Sequence, residues 1–283
     1  MRIKFQKMEG CGNDYIYING FCEKVDESIK PDFVRKVSDR HFGIGSDGVI
    51  FINPSEIADF EMEMWNADGT RAEMCGNGIR CVAKYVYDAK MASSTKMTIE
   101  SMGKIKYITV VPDGDNKAQM VSVDMGEPVL DAELIPVDAR EKNEPVINVP
   151  ITVDGTDYKM TCVSMGNPHA VVFEDPDTIG IEKVGPYFEN HVLFPKRTNT
   201  EFVRIIDKDN VRMRVWERGT GETLACGTGC CATCVACVLN GLTNREINVH
   251  LLGGVVKVKW DETTNHIIMT GPAAKVFDGE IDY

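Results

Sequence analysis

One structural theme is written twice in this chain. Glu73-Met74-Cys75-Gly76-Asn77-Gly78-Ile79 and Leu224-Ala225-Cys226-Gly227-Thr228-Gly229-Cys230 each place a cysteine before a glycine-rich turn that runs into a helix-like stretch. A second pair of landmarks keeps nearly the same offset: Gly12-Asn13 and Gly166-Asn167 both feed an apolar or alternating, strand-like run. The cysteines lie 151 positions apart and the asparagines 154. Two unrelated landmarks sharing almost one spacing point to a duplication, with a seam near Glu127-Pro128.

Around these landmarks the pattern is mixed α/β. Runs rich in β-branched residues predict strands at Gly48–Ile52, Glu61–Trp65, Lys106–Val111 and Met120–Val123 in the first half. The second half offers Ala170–Phe173, Thr200–Ile206, Val211–Glu217 and Val255–Trp260. A helix is expected from about Ser28, with Pro31 in its first turn and Ile29, Phe33, Val34 and Val37 on one face. After Cys75, Ile79, Val82, Ala83 and Val86 recur at helical spacing. After Cys226, residues 230 to 239 are small or apolar almost all round, so that helix must be buried on every side, as inside a curved sheet. Asn240-Gly241 supplies its stop. Strands outnumber helices and adjoin in hairpin-like pairs, which favours a largely antiparallel sheet around a central helix over a doubly wound fold.

At 283 residues the chain can build two ordinary domains, and 43% hydrophobic with 26% charged residues is normal for a globular protein. A net charge of −12 argues against nucleic acid or an anionic membrane as partner. No apolar stretch approaches the roughly 18 residues of a membrane span, and the start lacks the apolar centre of a signal peptide. The expected location is the cytoplasm, where the ten cysteines stay reduced.

The chemistry centres on the two cysteines. A helix N-terminus presents unpaired N–H groups and the positive end of the macrodipole; both favour a thiolate and can lower a cysteine pKa from about 8.5 to roughly 3.5–7.5. The glycines let backbone N–H groups approach a ligand and form an anion pocket. Strand ends beside each turn add polar groups: Trp65-Asn66-Ala67-Asp68-Gly69-Thr70 in the first half, Glu217-Arg218-Gly219-Thr220-Gly221-Glu222-Thr223 in the second.

Taken in order, Asn66-Ala67-Asp68-Gly69, Met74-Cys75-Gly76-Asn77-Gly78-Ile79-Arg80-Cys81, Gly166-Asn167-Pro168-His169, Glu217-Arg218-Gly219-Thr220-Gly221-Glu222-Thr223, Ala225-Cys226-Gly227-Thr228-Gly229 and Thr270-Gly271-Pro272-Ala273 resemble the pyridoxal-phosphate-independent diaminopimelate epimerases, over essentially the whole chain. The resemblance implies two pseudo-symmetric α/β domains, 1–127 and 128–271, each a sheet rolled around a central helix, with 272–283 returning to the first. It implies a cofactor-independent isomerase, with no metal, that interconverts LL- and meso-diaminopimelate on the way to lysine and peptidoglycan, and a homodimer. Cys75 and Cys226 would be acid and base on opposite faces of the α-carbon, with His169 and Glu217 assisting them. Backbone N–H groups of Gly76, Asn77, Gly227 and Thr228 would hold the reacting carboxylate. Arg218 suits the distal carboxylate bidentately and Glu217 the distal ammonium; Asn13, Asn66, Asn167 and Asn199 match the family's substrate-binding positions. One position departs: many members carry Gln where this chain has Gly48, which leaves one substrate hydrogen bond to water or a neighbouring group.

Two other readings stand beside this one. Another two-thiol amino-acid racemase of the same fold, such as a proline racemase relative, would use the same cysteine pair, although many of those carry His at the position of Asn77. Cys226, Cys230, Cys231, Cys234 and Cys237 contain Cys-x-x-Cys spacings of the kind that bind zinc or an iron–sulfur cluster or exchange disulfides. They fall within one helix, however, and no second ligand cluster closes a tetrahedron.

Overall fold

The computed structural model describes residues 2–72, 74–139 and 144–283, so Glu73, which opens the first cysteine motif, lies outside the described residues. The chain divides into two compact units: residues 1–123 with 271–283, and residues 124–270.

The first unit contains β1 (Arg2–Gly10), β2 (Asn13–Asn19), α1 (Lys30–Ser38), β3 (Gly48–Asn53), β4 (Phe60–Asn66), β5 (Arg71–Ala72), α2 (Gly76–Asp88), β6 (Lys96–Ser101), β7 (Lys104–Pro112) and β8 (Ala118–Gly126), which runs past its end. The second contains β9 (Val149–Val153), β10 (Thr156–Ser164), β11 (Pro168–Val172), α3 (Ile181–Glu189), β12 (Asn199–Ile205), β13 (Asn210–Glu217), β14 (Gly221–Thr223), α4 (Gly227–Leu239), β15 (Glu246–His250), β16 (Val255–Trp260) and most of β17 (Ile267–Pro272). The last strand, β18 (Ala274–Asp282), belongs to the first unit and pairs antiparallel with β1.

The two units trace the same path. In the first, β1–β2 is antiparallel, β2–β3 parallel, β3–β4 antiparallel with β5 folded back on β4, β4–β6 parallel, and β6–β7–β8 antiparallel. The second repeats this sequence of senses from β10 to β17, with β14 in the place of β5. Each parallel step needs a crossover, and each crossover carries a helix: α1 and α2 in one unit, α3 and α4 in the other. The architecture is the mixed, largely antiparallel α/β arrangement that the residue pattern predicts.

Alternation along the strands puts a helix on either face of each sheet. Ile16, Ile18, Val49 and Phe51 pack with Phe33, Val34 and Val37 of α1. Their neighbours Tyr17 and Ile50 meet α2, where Tyr17 donates to Gly78 O (3.3 Å). Helix α2 buries Ile79, Val82, Ala83 and Val86 against β1, β2, β6, β7 and β18. Helix α4, apolar on all sides, is enclosed by β10, β11, β12, β15 and β16.

Two details of the helices differ from the sequence expectations, and a third, the burial of the α4 cysteines, agrees with them. Helix α1 begins at Lys30 rather than near Ser28, because Asp26 takes the Ser28 backbone N–H into a turn (2.9 Å). Helix α3 has no clear sequence signature, since Gly185 and Pro186 lie inside it. Its glycine is required by packing: a Cβ at Gly185 would fall 2.4 Å from the Trp216 ring on β13. The cysteines of α4 are core residues. Cys230, Cys231, Cys234 and Cys237 are all buried, and Cys234 Sγ donates to Arg245 O (3.7 Å) and Val258 O (3.8 Å). Among the described residues no group of three His, Cys, Asp or Glu is placed to hold a metal ion, and no helix is long and apolar enough to cross a membrane.

Candidate active site

In the first unit Cys75 is the N-cap of α2. Its backbone is extended (φ −131°, ψ 115°) and its sulfur accepts the Gly78 N–H at 3.3 Å, so it substitutes for the usual Ser or Asp cap. The sulfur also reaches Asn13 at the start of β2, donating to Oδ1 at 3.1 Å, and Asn77 Nδ2 lies 3.5 Å from the same oxygen. Asn13 is turned this way by Asp47, which accepts its Nδ2 at 2.6 Å and the Asp14 N–H at 3.1 Å. Asp47 in turn takes Arg40 at 2.9 Å. Asp14 closes the cluster: burial pushes its carboxyl up, but Arg40 (2.7 Å) and the buried Lys7 outweigh that and hold it below the usual carboxylate range. Asn66, at the end of β4, donates to Thr70 Oγ1 (3.1 Å), and the next residue, Ala67, donates its N–H to Asp47 O (3.1 Å). Strands β2, β3 and β4 thus deliver Asn13, Asp47 and Asn66 to one sheet end. Beneath Gly76 lies Arg80, wholly buried, which donates to Gly76 O (3.1 Å) and to Pro272 O (3.1 Å).

The second unit repeats the device with different parts. Cys226 caps α4 (φ −120°, ψ 111°) and its sulfur accepts the Gly229 N–H at 3.4 Å. Thr228 Oγ1 lies 3.5 Å from that sulfur and accepts from Asn167 Nδ2 at 3.3 Å. Asn167 Oδ1 faces His169 Nε2 at 3.0 Å, and His169 Nδ1 meets Glu201 Oε1 at 2.7 Å. The N–H groups of Gly227 and Thr228 have no acceptor among the described residues, which is the anion-binding arrangement expected of a helix start.

The remaining sequence-predicted residues of this unit sit on a braced corner. Glu217 ends β13 and accepts from Thr223 Oγ1. Burial raises its carboxyl pKa against the pull of Thr223 and His169. Asn199 is a buried clip: its Nδ2 donates to Pro168 O (2.8 Å) and its Oδ1 accepts the Arg218 N–H (2.9 Å). The Arg218 guanidinium rests on Lys196 O (3.0 Å). Glu189 of α3 holds the corner from behind, accepting from Trp216 Nε1 (2.8 Å), Gly219 N–H (2.9 Å) and Arg197 (2.8 Å).

The expectation of a lowered cysteine pKa is overturned at Cys226. Burial raises its thiol well above the ordinary value, and the Glu217 and Glu201 carboxylates push the same way. Against them stand only the hydrogen bonds from Thr228 and Gly229. Cys226 is therefore held as a thiol.

Gly48 has a steric explanation. A Cβ there would lie 2.0 Å from Trp65 O on the paired strand and 3.1 Å from the Tyr15 ring, so no Gln fits this backbone. Gly48→Ala is expected to lower the unfolding free energy by roughly 1–3 kcal/mol, because β3 and β4 must separate to admit the methyl group. Urea denaturation checks this; a parental midpoint would contradict it.

A family model described as diaminopimelate epimerase matches residues 5–130 and 161–276. A relative named diaminopimelate epimerase from Agathobacter rectalis is 55% identical over 287 positions, covering 99% of each chain. The chain belongs to the diaminopimelate epimerase family. Another relative of that name, from Acetivibrio thermocellus, is 54% identical over 281 positions and again covers 99% of each chain. Among solved structures, a phenazine biosynthesis protein of the PhzF family from Bacillus anthracis matches with a TM-score of 0.69 at 16% identity, covering 100% of both chains. A hydroxyproline epimerase from Agrobacterium vitis matches with a TM-score of 0.68 at 13% identity, covering 99% of this chain and 91% of that one. At such identities these two share the fold with this member of the diaminopimelate epimerase family.

Four residues beside the candidate site escaped the sequence reading: Asp47, Arg80, Glu189 and Glu201. Asp47 stands inside Gly43-Ile44-Gly45-Ser46-Asp47-Gly48, a glycine-rich run that signals a tight turn beside a strand end. A charged residue inside an apolar run was a usable signal for Arg80, within Ile79-Arg80-Cys81-Val82, and for Glu201, within Thr200-Glu201-Phe202-Val203. Nothing in the local pattern marks Glu189.

Proposed function

We propose that this chain interconverts LL- and meso-diaminopimelate without a cofactor, using Cys75 and Cys226 as acid and base on opposite faces of one α-carbon. The carrying observation is that each unit caps its central helix with a cysteine whose sulfur also lies within hydrogen-bonding reach of a neutral polar side chain, Asn13 in one case and Thr228 in the other. Membership of the family fixes the substrate in this reading.

Inversion needs one group to remove the α-proton and another to return a proton from the other side. One thiolate takes the proton and becomes a thiol; the opposing thiol gives its proton and becomes a thiolate, so the pair exchanges roles at each turnover. Burial and two carboxylates keep Cys226 protonated, so the resting protein has its proton donor on that side. The complementary form serves the other isomer. The α-hydrogen is a very weak acid, and preorganised N–H donors at the two helix starts, from residues 76, 77, 227 and 228, stabilise charge developing on the adjacent carboxylate. Glu217 serves as the proton-handling neighbour of Cys226, and His169 reaches that sulfur through Asn167 and Thr228. Arg218, released from Lys196 O, pairs with the distal carboxylate, and Glu217 with the distal ammonium. Asn13, Asn66, Asn167 and Asn199 set the remaining polar contacts.

The test is turnover of LL-diaminopimelate in deuterium oxide, followed by chiral separation and mass spectrometry. Appearance of the meso isomer with one deuterium at the inverted carbon is expected. Inversion without solvent deuterium would overturn the two-thiol chemistry, and turnover of proline or hydroxyproline in place of diaminopimelate would overturn the substrate.

A further inference from the structure

The Glu201 carboxylate enters the mechanism above only as one of the two charges that keep Cys226 protonated, and it is wholly buried. It sits on β12 behind His169 of β11, which is equally inaccessible. Its Oε1 meets His169 Nδ1 at 2.7 Å, while its Oε2 is buried with no hydrogen-bond partner among the described residues. A buried carboxylate oxygen left unpaired is costly, and packing alone would be served as well by an apolar residue.

The hydrogen bonds running outward from it fix a direction. Asn167 Nδ2 donates to Thr228 Oγ1, so Asn167 Oδ1 is the atom facing His169 Nε2, and an amide oxygen only accepts. Nε2 must therefore carry a proton. The carboxylate at Nδ1 accepts the other ring N–H, so both contacts are made together when both nitrogens donate, one to Glu201 and one to Asn167. Without the carboxylate the ring has no charged acceptor to support two N–H donors, and a neutral imidazole can turn a bare Nε2 to Asn167; Asn167 then has to turn its amide over, presenting oxygen rather than nitrogen to Thr228. The Thr228 hydroxyl would be drawn to that oxygen and away from Cys226 Sγ, which it now reaches at 3.5 Å. The space is built for this contact: a Cβ on Gly229, in the first turn of α4, would lie 2.6 Å from Glu201 Oε1.

We propose that Glu201 is a positioning residue for epimerisation: by holding His169 with a proton on Nε2, it fixes the Asn167 amide and aims the Thr228 hydroxyl at the Cys226 sulfur, where it donates to the thiolate left after the proton is given up. This rests on the reading of Cys226 as a proton carrier. The residue touches no substrate in this scheme, and its positioning effect runs through His169.

The experiment pairs kinetics with nitrogen-15 NMR of histidine-labelled protein, the His169 signals being assigned by their absence from His169→Asn. The parent should show His169 Nε2 protonated. Glu201→Gln should move those signals toward the mixed-tautomer position and lower kcat by a factor on the order of 10², the cost of a misplaced catalytic contact, with KM changed less than about threefold. A folded Glu201→Gln with parental kcat, or a parent with Nε2 unprotonated, overturns the assignment. If Glu201→Gln does not fold, the parent spectrum decides alone. Cys226→Ala measured in parallel separates the two levels: retained turnover there sinks the two-thiol reading, whereas lost turnover there with parental kcat in Glu201→Gln sinks only the role of Glu201.

Discussion

Cys75→Ala and Cys226→Ala are each expected to abolish interconversion of the diaminopimelate isomers while leaving a folded protein. Inversion needs a proton removed from one face and another delivered to the opposite face, so one sulfur can at most exchange the α-proton of a single isomer with solvent. General acid–base catalysis alone supplies about 10²–10⁴ in rate, and a step that has lost its only partner on one face loses all of it. The fold should survive because each sulfur contributes one cap contact, to Gly78 or Gly229, and losing a cap costs about 0.5–2 kcal/mol. Circular dichroism and urea midpoints check the second claim; chiral chromatography checks the first. A near-parental rate of inversion in either variant would remove the mechanism.

Stability should be level from about pH 6 to 8 and fall steeply above pH 9. Burial raises the thiols of Cys11, Cys162, Cys226 and Cys237, and pushes Cys81 and Cys234 up to about 12. In the unfolded chain a cysteine ionises near 8.5. Below that pH both states hold the proton and the folded state keeps its full advantage. As pH rises toward 12, the unfolded chain releases protons that the folded chain retains, so base favours unfolding. Each such thiol costs about 1.4 kcal/mol per pH unit over that interval. Two thiols held to about 12 therefore remove roughly 5 kcal/mol or more by pH 11, comparable with the whole stability of an ordinary domain. Urea midpoints at pH 7, 9 and 10.5 test this, and an unchanged midpoint at pH 10.5 would refute it. Cys81→Ala should flatten the slope with pH even where it lowers the midpoint.

Much of this fold is readable in the chain because its strongest signals are local. Glycine turns after Cys75 and Cys226 mark the starts of α2 and α4, and the all-round apolar character of residues 230–237 already demands a helix enclosed by a sheet. The strand pairing of β1 with β18 is not readable, since residues 2–10 and 274–282 lie at opposite chain ends and no local pattern encodes so distant a partner. Helix α3 is hidden for a different reason: the gap beside Trp216 selects a glycine against helix propensity. At the candidate site, the cysteines, the asparagines and the Glu217-Arg218 corner are visible as motif residues. Asp47 and Glu201 leave only a local hint and Glu189 none, because their work is to hold another side chain or a turn in place. Such a role exists only once strands have been brought side by side. The raised thiol of Cys226 is hidden likewise, for it depends on how completely α4 is enclosed.

Two halves that follow one path are furnished unequally: Asn13 leans directly on an acid, whereas Asn167 is reached through an imidazole. The proportion of stereoisomers at equilibrium belongs to the solution, and no catalyst shifts it. In the proposed scheme, unlike surroundings for the two sulfurs therefore bear on how idle molecules divide between the species ready for one diastereomer and the species ready for the other, and so on which direction saturates first.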